Sequence, residues 1–336
     1  MPATFKRGAI ALALYGLIAT AQAQPYPLTL DNCGHRLTFT HAPQRVVSIG
    51  QASTEILLSL GVAPRVVGTA LWFGPLPANL QAAAANIPRL ADNAPSFEAV
   101  AAQAPELVTA QYTYNIGRHG DVGTFEQFRG LGIPAYVSPS DCEGKALTER
   151  SNGDGARQVP FDMTLIDREI TELAQVFNVP GRGQTLLATQ QARLGQAVAQ
   201  ARSQAGNASV LFWFSSARLE GDPWVAGNSG VPAYIARTLG LRNVIDSDEE
   251  WPSVSWEQVA RQDPDYLVIT RMARRRYPAD DVEKKLAFLH ADPVASQLAA
   301  VRGGRVIVVD AQSLNPSLRV VEAIEAVAAG LGPEAP

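Results

Sequence analysis

The feature that most constrains this chain is a repeat. Ser96-Phe97-Glu98-Ala99-Val100-Ala101-Ala102-Gln103-Ala104-Pro105-Glu106 aligns without a gap on Ser255-Trp256-Glu257-Gln258-Val259-Ala260-Arg261-Gln262-Asp263-Pro264-Asp265, 159 residues further on. Each copy reads as a short helix with a serine N-cap and a glutamate in its first turn, running through a proline into a strand. A single copy is explained by capping, since the helix dipole favours an anion there by about 0.3 to 1 kcal/mol. Two copies predict two lobes of similar build, with an exposed glutamate at the same point of each. Equivalent exposed glutamates suit a partner that itself has two similar halves.

The rest of the chain fits that division. Val46 to Ile49, a helix from Ser53 to Leu60 closed by Gly61, Val66 to Thr69, Leu107 to Gln111, a helix from Thr124 to Leu131 and Ala135 to Val137 alternate strand and helix. The alternation restarts at Val210 to Phe214 and continues through helix Val231 to Leu239, strand Tyr266 to Thr270, helix Asp281 to Leu289, strand Val306 to Val309 and helix Ser317 to Ala329. Strands alternating with helices predict an α/β fold with parallel, βα-built sheets. Leu28 to Leu30 and Leu37 to Thr40 flank Asn32-Cys33-Gly34 and read as a hairpin. The polar stretch from Asp141 to Pro160 reads as a surface loop. Asp162 to Arg202 carries Leu165, Ile166, Ile170, Leu173 and Val176 at helical spacing, and reads as one long helix that would break, if anywhere, near Pro180. The expected division is a signal peptide over 1–23, an N-terminal α/β lobe over 24–160, a connecting helix over 161–205 and a C-terminal α/β lobe over 206–336.

The signal peptide is read from Lys6 and Arg7, an apolar run from Ala9 to Ala19, and Ala21-Gln22-Ala23 as an A-x-A cleavage site. Export to the periplasm is expected, with cleavage after Ala23 and no lipid anchor, because Cys33 follows Asp31-Asn32. No later stretch is apolar for long enough to span a bilayer, so contact with the membrane is expected only through a partner. With 18% charged residues and a net charge of -4, the chain has no electrostatic footprint for nucleic acid. Cys33 and Cys142 are the two cysteines. In an oxidising compartment they are expected to pair; the alternative is two small buried thiols. A bridge closing a loop of that length contributes about 4 to 5 kcal/mol in the chain-entropy model.

Together with Arg45-Val46-Val47-Ser48-Ile49, Ser53-Thr54-Glu55-Ile56-Leu57, Leu60-Gly61 and Trp251-Pro252-Ser253-Val254-Ser255, the repeat resembles the periplasmic binding proteins for ferric siderophores, cobalamin and haem. The resemblance covers about Leu28 to Leu331. It implies two lobes joined by a rigid helix, a ligand in the cleft between them, and one glutamate per lobe docking on arginines of the dimeric permease of an ABC transporter. By position those glutamates are Glu98 and Glu257. It also implies a monomer that closes little on binding.

Ligands of open parallel sheets lie beyond the carboxyl ends of the strands. Those ends supply the candidate ligand-binding residues Trp72, Tyr112, Tyr114, Arg118, Trp213, Arg218, Trp224, Trp251 and Arg271. Trp213 is the weakest, because strand alternation can turn it into the core. Arg274-Arg275-Arg276 is expected to be a solvated face. Aromatics with arginines suit a rounded chelate bearing anionic groups, which favours a ferric siderophore. Cobalamin is the alternative, from the likeness of Trp251 to Val259 to that subgroup, and haem follows. No catalytic residue is assigned: the chain holds no G-x-S-x-G elbow, H-E-x-x-H, P-loop or G-x-G-x-x-G after a strand. An enzyme acting on a chelate, or a sensor, is therefore the less favoured reading. His35, His41, His119 and His290 share no ligand spacing, so no bare-metal site and no resident cofactor are expected.

Overall fold

The computed structural model describes residues 26–146, 156–202 and 204–331. The signal-peptide assignment and the middle of the Glu143 to Pro160 stretch lie outside them. The chain opens with β1 (Leu28–Asn32) and β2 (His35–Phe39), an antiparallel hairpin. Cys33 (φ 51°) and Gly34 (φ 79°) at its tip both occupy the left-handed region, the turn whose twist matches a two-residue hairpin.

The N-terminal lobe follows with β3 (Val46–Ile49), α1 (Gln51–Ser59), β4 (Val66–Ala70), α2 (Ala78–Ala84), β5 (Arg89–Ala91), α3 (Phe97–Ala101), β6 (Leu107–Ala110), α4 (Phe125–Gly130), β7 (Ala135–Val137) and α5 (Pro139–Cys142). Its five strands are all parallel, in the order β5-β4-β3-β6-β7. Gly50 opens α1 at φ 115°, and a Cβ there would lie 2.3 Å from that of Gln111, so no other residue lets α1 start so close to the end of β6.

The polar stretch expected to be a loop is structured at both ends: β8 (Lys145–Ala146) pairs with β9 (Ala156–Arg157). The connector is two helices, α6 (Thr164–Val176) and α7 (Pro180–Ala201), divided at the point the proline marked. Asn178 turns left-handed (φ 56°) and Pro180 restarts the chain as the first residue of α7, where its missing N–H costs nothing. Arg182 of α7 reaches back to donate to the carbonyls of Leu60 and Gly61, closing the end of α1.

The C-terminal lobe runs β10 (Ser209–Ser215), β11 (Trp224–Val225), α8 (Val231–Leu239), β12 (Arg242–Asn243), α9 (Trp256–Gln262), β13 (Tyr266–Arg271), α10 (Val282–Ala291), α11 (Ala299–Arg302), β14 (Val306–Asp310) and α12 (Val320–Gly330). Its sheet, β11-β10-β13-β14 with β12 also on β10, is parallel except for β11. Alternation along the strands sends each sheet's side chains into two cores. Val46, Leu107, Val210, Phe212 and Val268 join the connector helices and α12 in one inner core that runs through both lobes. Val47, Ile49 and Val108 fill the N-terminal lobe's outer core, and Leu211, Trp213, Leu267 and Ile269 that of the C-terminal lobe. The lobes are thus fused along one continuous apolar layer, which leaves only the strand ends on the far side free to form a cleft.

Candidate functional site: an interlobe cleft

The carboxyl ends of both parallel sheets face each other across a cleft of about 630 Å³. The N-terminal wall carries Phe73, Gly74, Asn93, Tyr112 to Tyr114, Asp141 and Lys145. The opposite wall carries Phe214, Ser215, Trp224, Glu250, Trp251, the whole 271–277 segment, Asp280 and residues beyond β14. The aromatic lining is pre-arranged: Tyr112 and Tyr114 stack with centroids 4.8 Å apart, Phe214 lies on Trp251 at 4.6 Å, and Trp224 meets Tyr277 edge-on at 5.3 Å.

The acids in the cleft are all engaged. Asp141 accepts from the N–H (2.7 Å) and hydroxyl (2.8 Å) of Thr113 and pairs with Lys145 at 2.9 Å. Glu250 pairs with Arg157 at 2.9 Å and Lys145 at 3.5 Å, joining the two lobes at that end. Asp280 is buried and accepts from the Ser215 hydroxyl and the N–H groups of Arg276 and Tyr277, and Asp310 caps Gln312 and approaches Arg319. Arg275 is paired with Asp281. Among the described residues the guanidinium groups of Arg271 and Arg276 have no acidic partner; that of Arg276 lies 5.3 Å from the Tyr277 ring.

The walls are braced from behind. On the C-terminal side Lys285, fully buried, donates to the carbonyls of Phe214 and Thr270 and to the Thr270 hydroxyl, fixing the ends of β10 and β13. Burial lowers its ammonium pKa to about 7, against a raising influence from Asp280. On the N-terminal side Glu169 of α6 accepts from Ser53 and Ser138, and burial raises its carboxyl to about 7. Beneath the cleft, Arg319 binds Glu55 through both nitrogens of its fork and donates to the Pro75 carbonyl at 2.9 Å; both side chains are buried. The disulfide between Cys33 and Cys142 is formed, and Asn32 exchanges two 2.8 Å bonds with the backbone of Val137, so the hairpin is tied to the edge strand next to Asp141.

Of the nine residues expected in the cleft from sequence, Tyr112, Tyr114, Trp224, Trp251 and Arg271 line it. The other four do not. Trp72 turns behind the wall to pack with Leu58, Leu76 and Leu80, under the Arg89 guanidinium, and the cleft position falls to its neighbour Phe73. Trp213 faces the outer core, meeting Trp256 edge-on and donating to the Ser215 carbonyl, as its place on the strand alternation allowed. Arg118 is carried off by a loop that folds back on buried Asn115 and Ile116, and Arg218 is exposed on the turn between β10 and β11. Arg274, expected on a solvated face, lines the cleft and crosses it: it donates to the carbonyls of Trp72 (3.2 Å) and Asp92 (3.0 Å) and to Asn93 Oδ1 (2.5 Å). Glu98 and Glu257 lie away from the cleft, exposed in the first turns of α3 and α9, whose caps Ser96 and Ser255 accept from Ala99 and Gln258 at 3.1 and 3.2 Å. No group of metal-ligating side chains occurs among the described residues, and no helix among them is long and apolar enough to cross a membrane.

The family model described as periplasmic binding protein matches residues 46–313. No curated protein matches the chain. Among solved structures, a periplasmic binding protein of Veillonella parvula superposes with TM-score 0.74 at 23% identity, covering 90% of this chain and 96% of its own. A protein of an ABC-type Fe3+-hydroxamate transport system from Saccharomonospora viridis gives 0.70 at 26% identity, covering 92% and 100%. A periplasmic haem-binding protein of Pseudomonas aeruginosa gives 0.63 at 21% identity, covering 88% and 94%.

Proposed function

The chain belongs to the periplasmic binding protein family, and from that premise we propose that it captures an anionic metal chelate, a ferric siderophore, and delivers it to the permease of an ABC importer. The observation that carries the cargo's charge is three guanidiniums with no acidic partner among the described residues, Arg271, Arg274 and Arg276, in a cleft whose acids are all held by the protein itself. Arg274 is bonded to neutral acceptors, which leaves Arg271 and Arg276 to meet the ligand. An unpaired guanidinium beside aromatic rings favours a ligand that brings its own negative oxygens, each charge-assisted bond contributing about 1.5 to 3 kcal/mol. Relatives that serve Fe3+-hydroxamate transport and haem support a chelate in which the metal arrives already ligated. Haem is the second reading, because the phenols of Tyr112, Tyr114 and Tyr277 offer oxygen ligands to ferric iron. Cobalamin rests only on the Trp251 to Val259 likeness.

The mature protein works in the periplasm, as a monomer, after removal of residues 1–23. Glu98 and Glu257, one per lobe at equivalent positions, dock on the two halves of the permease dimer. Family membership makes the protein a carrier and not a catalyst.

Intrinsic tryptophan fluorescence, titrated with ferric siderophores, haemin and cobalamin, tests the reading, since Trp224 and Trp251 line the cleft. Saturable quenching by an anionic ferric chelate at micromolar concentration or below is expected, weakened roughly 10- to 100-fold by Arg271→Ala or Arg276→Ala. Quenching by cobalamin alone, or affinities indifferent to both substitutions, would overturn the anionic cargo.

A further inference from the structure

Among the described residues three sets of polar side-chain contacts join the lobes around the cleft, and they are not alike. Glu55 with Arg319 lies buried under the floor, and Glu250 with Arg157 and Lys145 is a largely buried ion-pair cluster at one end. The third, at the other end, is Arg274. It is exposed, and all three of its acceptors are neutral. The nearby carboxylate of Asp92 is turned to Arg89 at 2.8 Å.

Arg274 stands at the tip of a strap, residues 271–277, that leaves β13 and reaches the other lobe, where the Cβ of Ala273 lies 3.4 Å from where a Cβ on Gly74 would stand. The strap's base is held: buried Asp280 accepts the N–H groups of Arg276 and Tyr277, and Arg275 is paired with Asp281. A strap fixed at its base by carboxylates, and at its tip only by exposed bonds to neutral acceptors, opens at the tip first.

The geometry points to Arg274 as the latch that controls access to the cleft. Latched, it closes one end against Trp72, Asp92 and Asn93; released, it frees the strap to swing from its base and leaves the other two tethers intact. The lobes then need not rotate for cargo to enter. The inference treats the cleft as the cargo site proposed above, but the latch itself is testable without any cargo.

Acrylamide quenching supplies that test. Trp213 and Trp256 are buried, so in a Trp72→Phe background the accessible fluorescence comes from Trp224 and Trp251 in the cleft. Adding Arg274→Ala is expected to raise the Stern–Volmer constant about twofold, and to speed amide exchange at the strap's tip, 272–275, while Arg274→Lys gives an intermediate value because a point charge cannot fork. Unchanged quenching and exchange in a folded Arg274→Ala protein would overturn the latch. The same variant should bind a ferric siderophore with a faster association rate, and an association rate equal to the parent's would overturn control of entry. If quenching and exchange rise and no chelate binds either protein, the latch stands and the cargo assignment falls.

Discussion

The two lobes are alike where they face outward and unlike where they face each other. Outside, α3 and α9 are capped by serines with nearly equal bonds, and each is followed by a left-handed residue immediately before its proline, Ala104 at φ 44° and Asp263 at φ 40°. Leu60-Gly61 and Leu239-Gly240 close α1 and α8 with the same left-handed glycine, at φ 69° and 72°. At the cleft the likeness ends. The N-terminal lobe offers stacked tyrosines and backbone carbonyls, and the C-terminal lobe an arginine-bearing strap over tryptophans. One small cargo touching both walls has no reason to be symmetric, whereas a partner built of two similar halves does, so the pattern of likeness fits the cargo and docking surfaces proposed above.

The sharpest way to break this comparison is Glu98→Arg with Glu257→Arg. Uptake into cells is expected to fall to background, while chelate affinity and the unfolding midpoint of the purified protein stay as they were. Each glutamate is exposed, so neither reversal buries a charge. Uptake that survives both reversals would leave the outward likeness with only its capping role.

Substitutions behind the walls test whether the lobes are held as one body. Arg319→Ala strands the Glu55 carboxylate in the interior and should cost about 3 to 5 kcal/mol in urea unfolding, whereas Arg319→Met with Glu55→Gln should recover most of it. A smaller contrast separates the two copies of the repeat. Trp256 is buried against Trp213 and Phe288, so Trp256→Ala should cost about 3 to 5 kcal/mol. Phe97 is half-buried against Phe128, and its replacement by alanine should cost only about 1 to 2 kcal/mol. Equal losses would mean that the two helices are anchored alike despite their different aromatics.

How legible the fold and site were in the sequence depends on the range of the interactions. The βα alternation, the capped helices and the hairpin at Cys33-Gly34 follow from local chemistry, and each falls within a few residues of its expected place. The strands β5 and β11 are too short to leave a periodic signal. In the cleft, the direction of a side chain at a strand end decides its role. Leu71 takes a left-handed conformation (φ 64°) next to Trp72, whose ring turns behind the wall while Phe73 turns into the cleft. Arg274 reads as one of three solvated arginines until the other lobe's carbonyls are brought within reach, and Glu55 and Arg319 find each other across 264 residues. Those contacts exist only once the lobes are fused, so no local pattern announces them.

The lobes also differ in how they respond to pH, and here the comparison is finest. Glu169, behind the N-terminal wall, titrates at about 7 instead of 4.5 because its burial disfavours the carboxylate. The folded protein therefore binds a proton between those values that the unfolded chain has released. That contribution to stability is complete below about pH 4.5 and is lost as pH rises through 7, an effect on the order of 3 kcal/mol. Lys285, behind the C-terminal wall, titrates at about 7 instead of 10.5. There the unfolded chain holds the extra proton, so stability grows as pH rises from 7 towards 10.5. Glu169→Gln should consequently gain on the parent protein only between about pH 4.5 and 7, and Lys285→Met only lose ground between about pH 7 and 10.5, whatever constant offset each substitution adds. Urea midpoints measured across both windows decide it: a difference between the Glu169→Gln variant and its parent that is flat with pH would mean that the carboxyl behind the N-terminal wall is ionised at no cost, and a flat difference for Lys285→Met would mean the same of the ammonium behind the other wall.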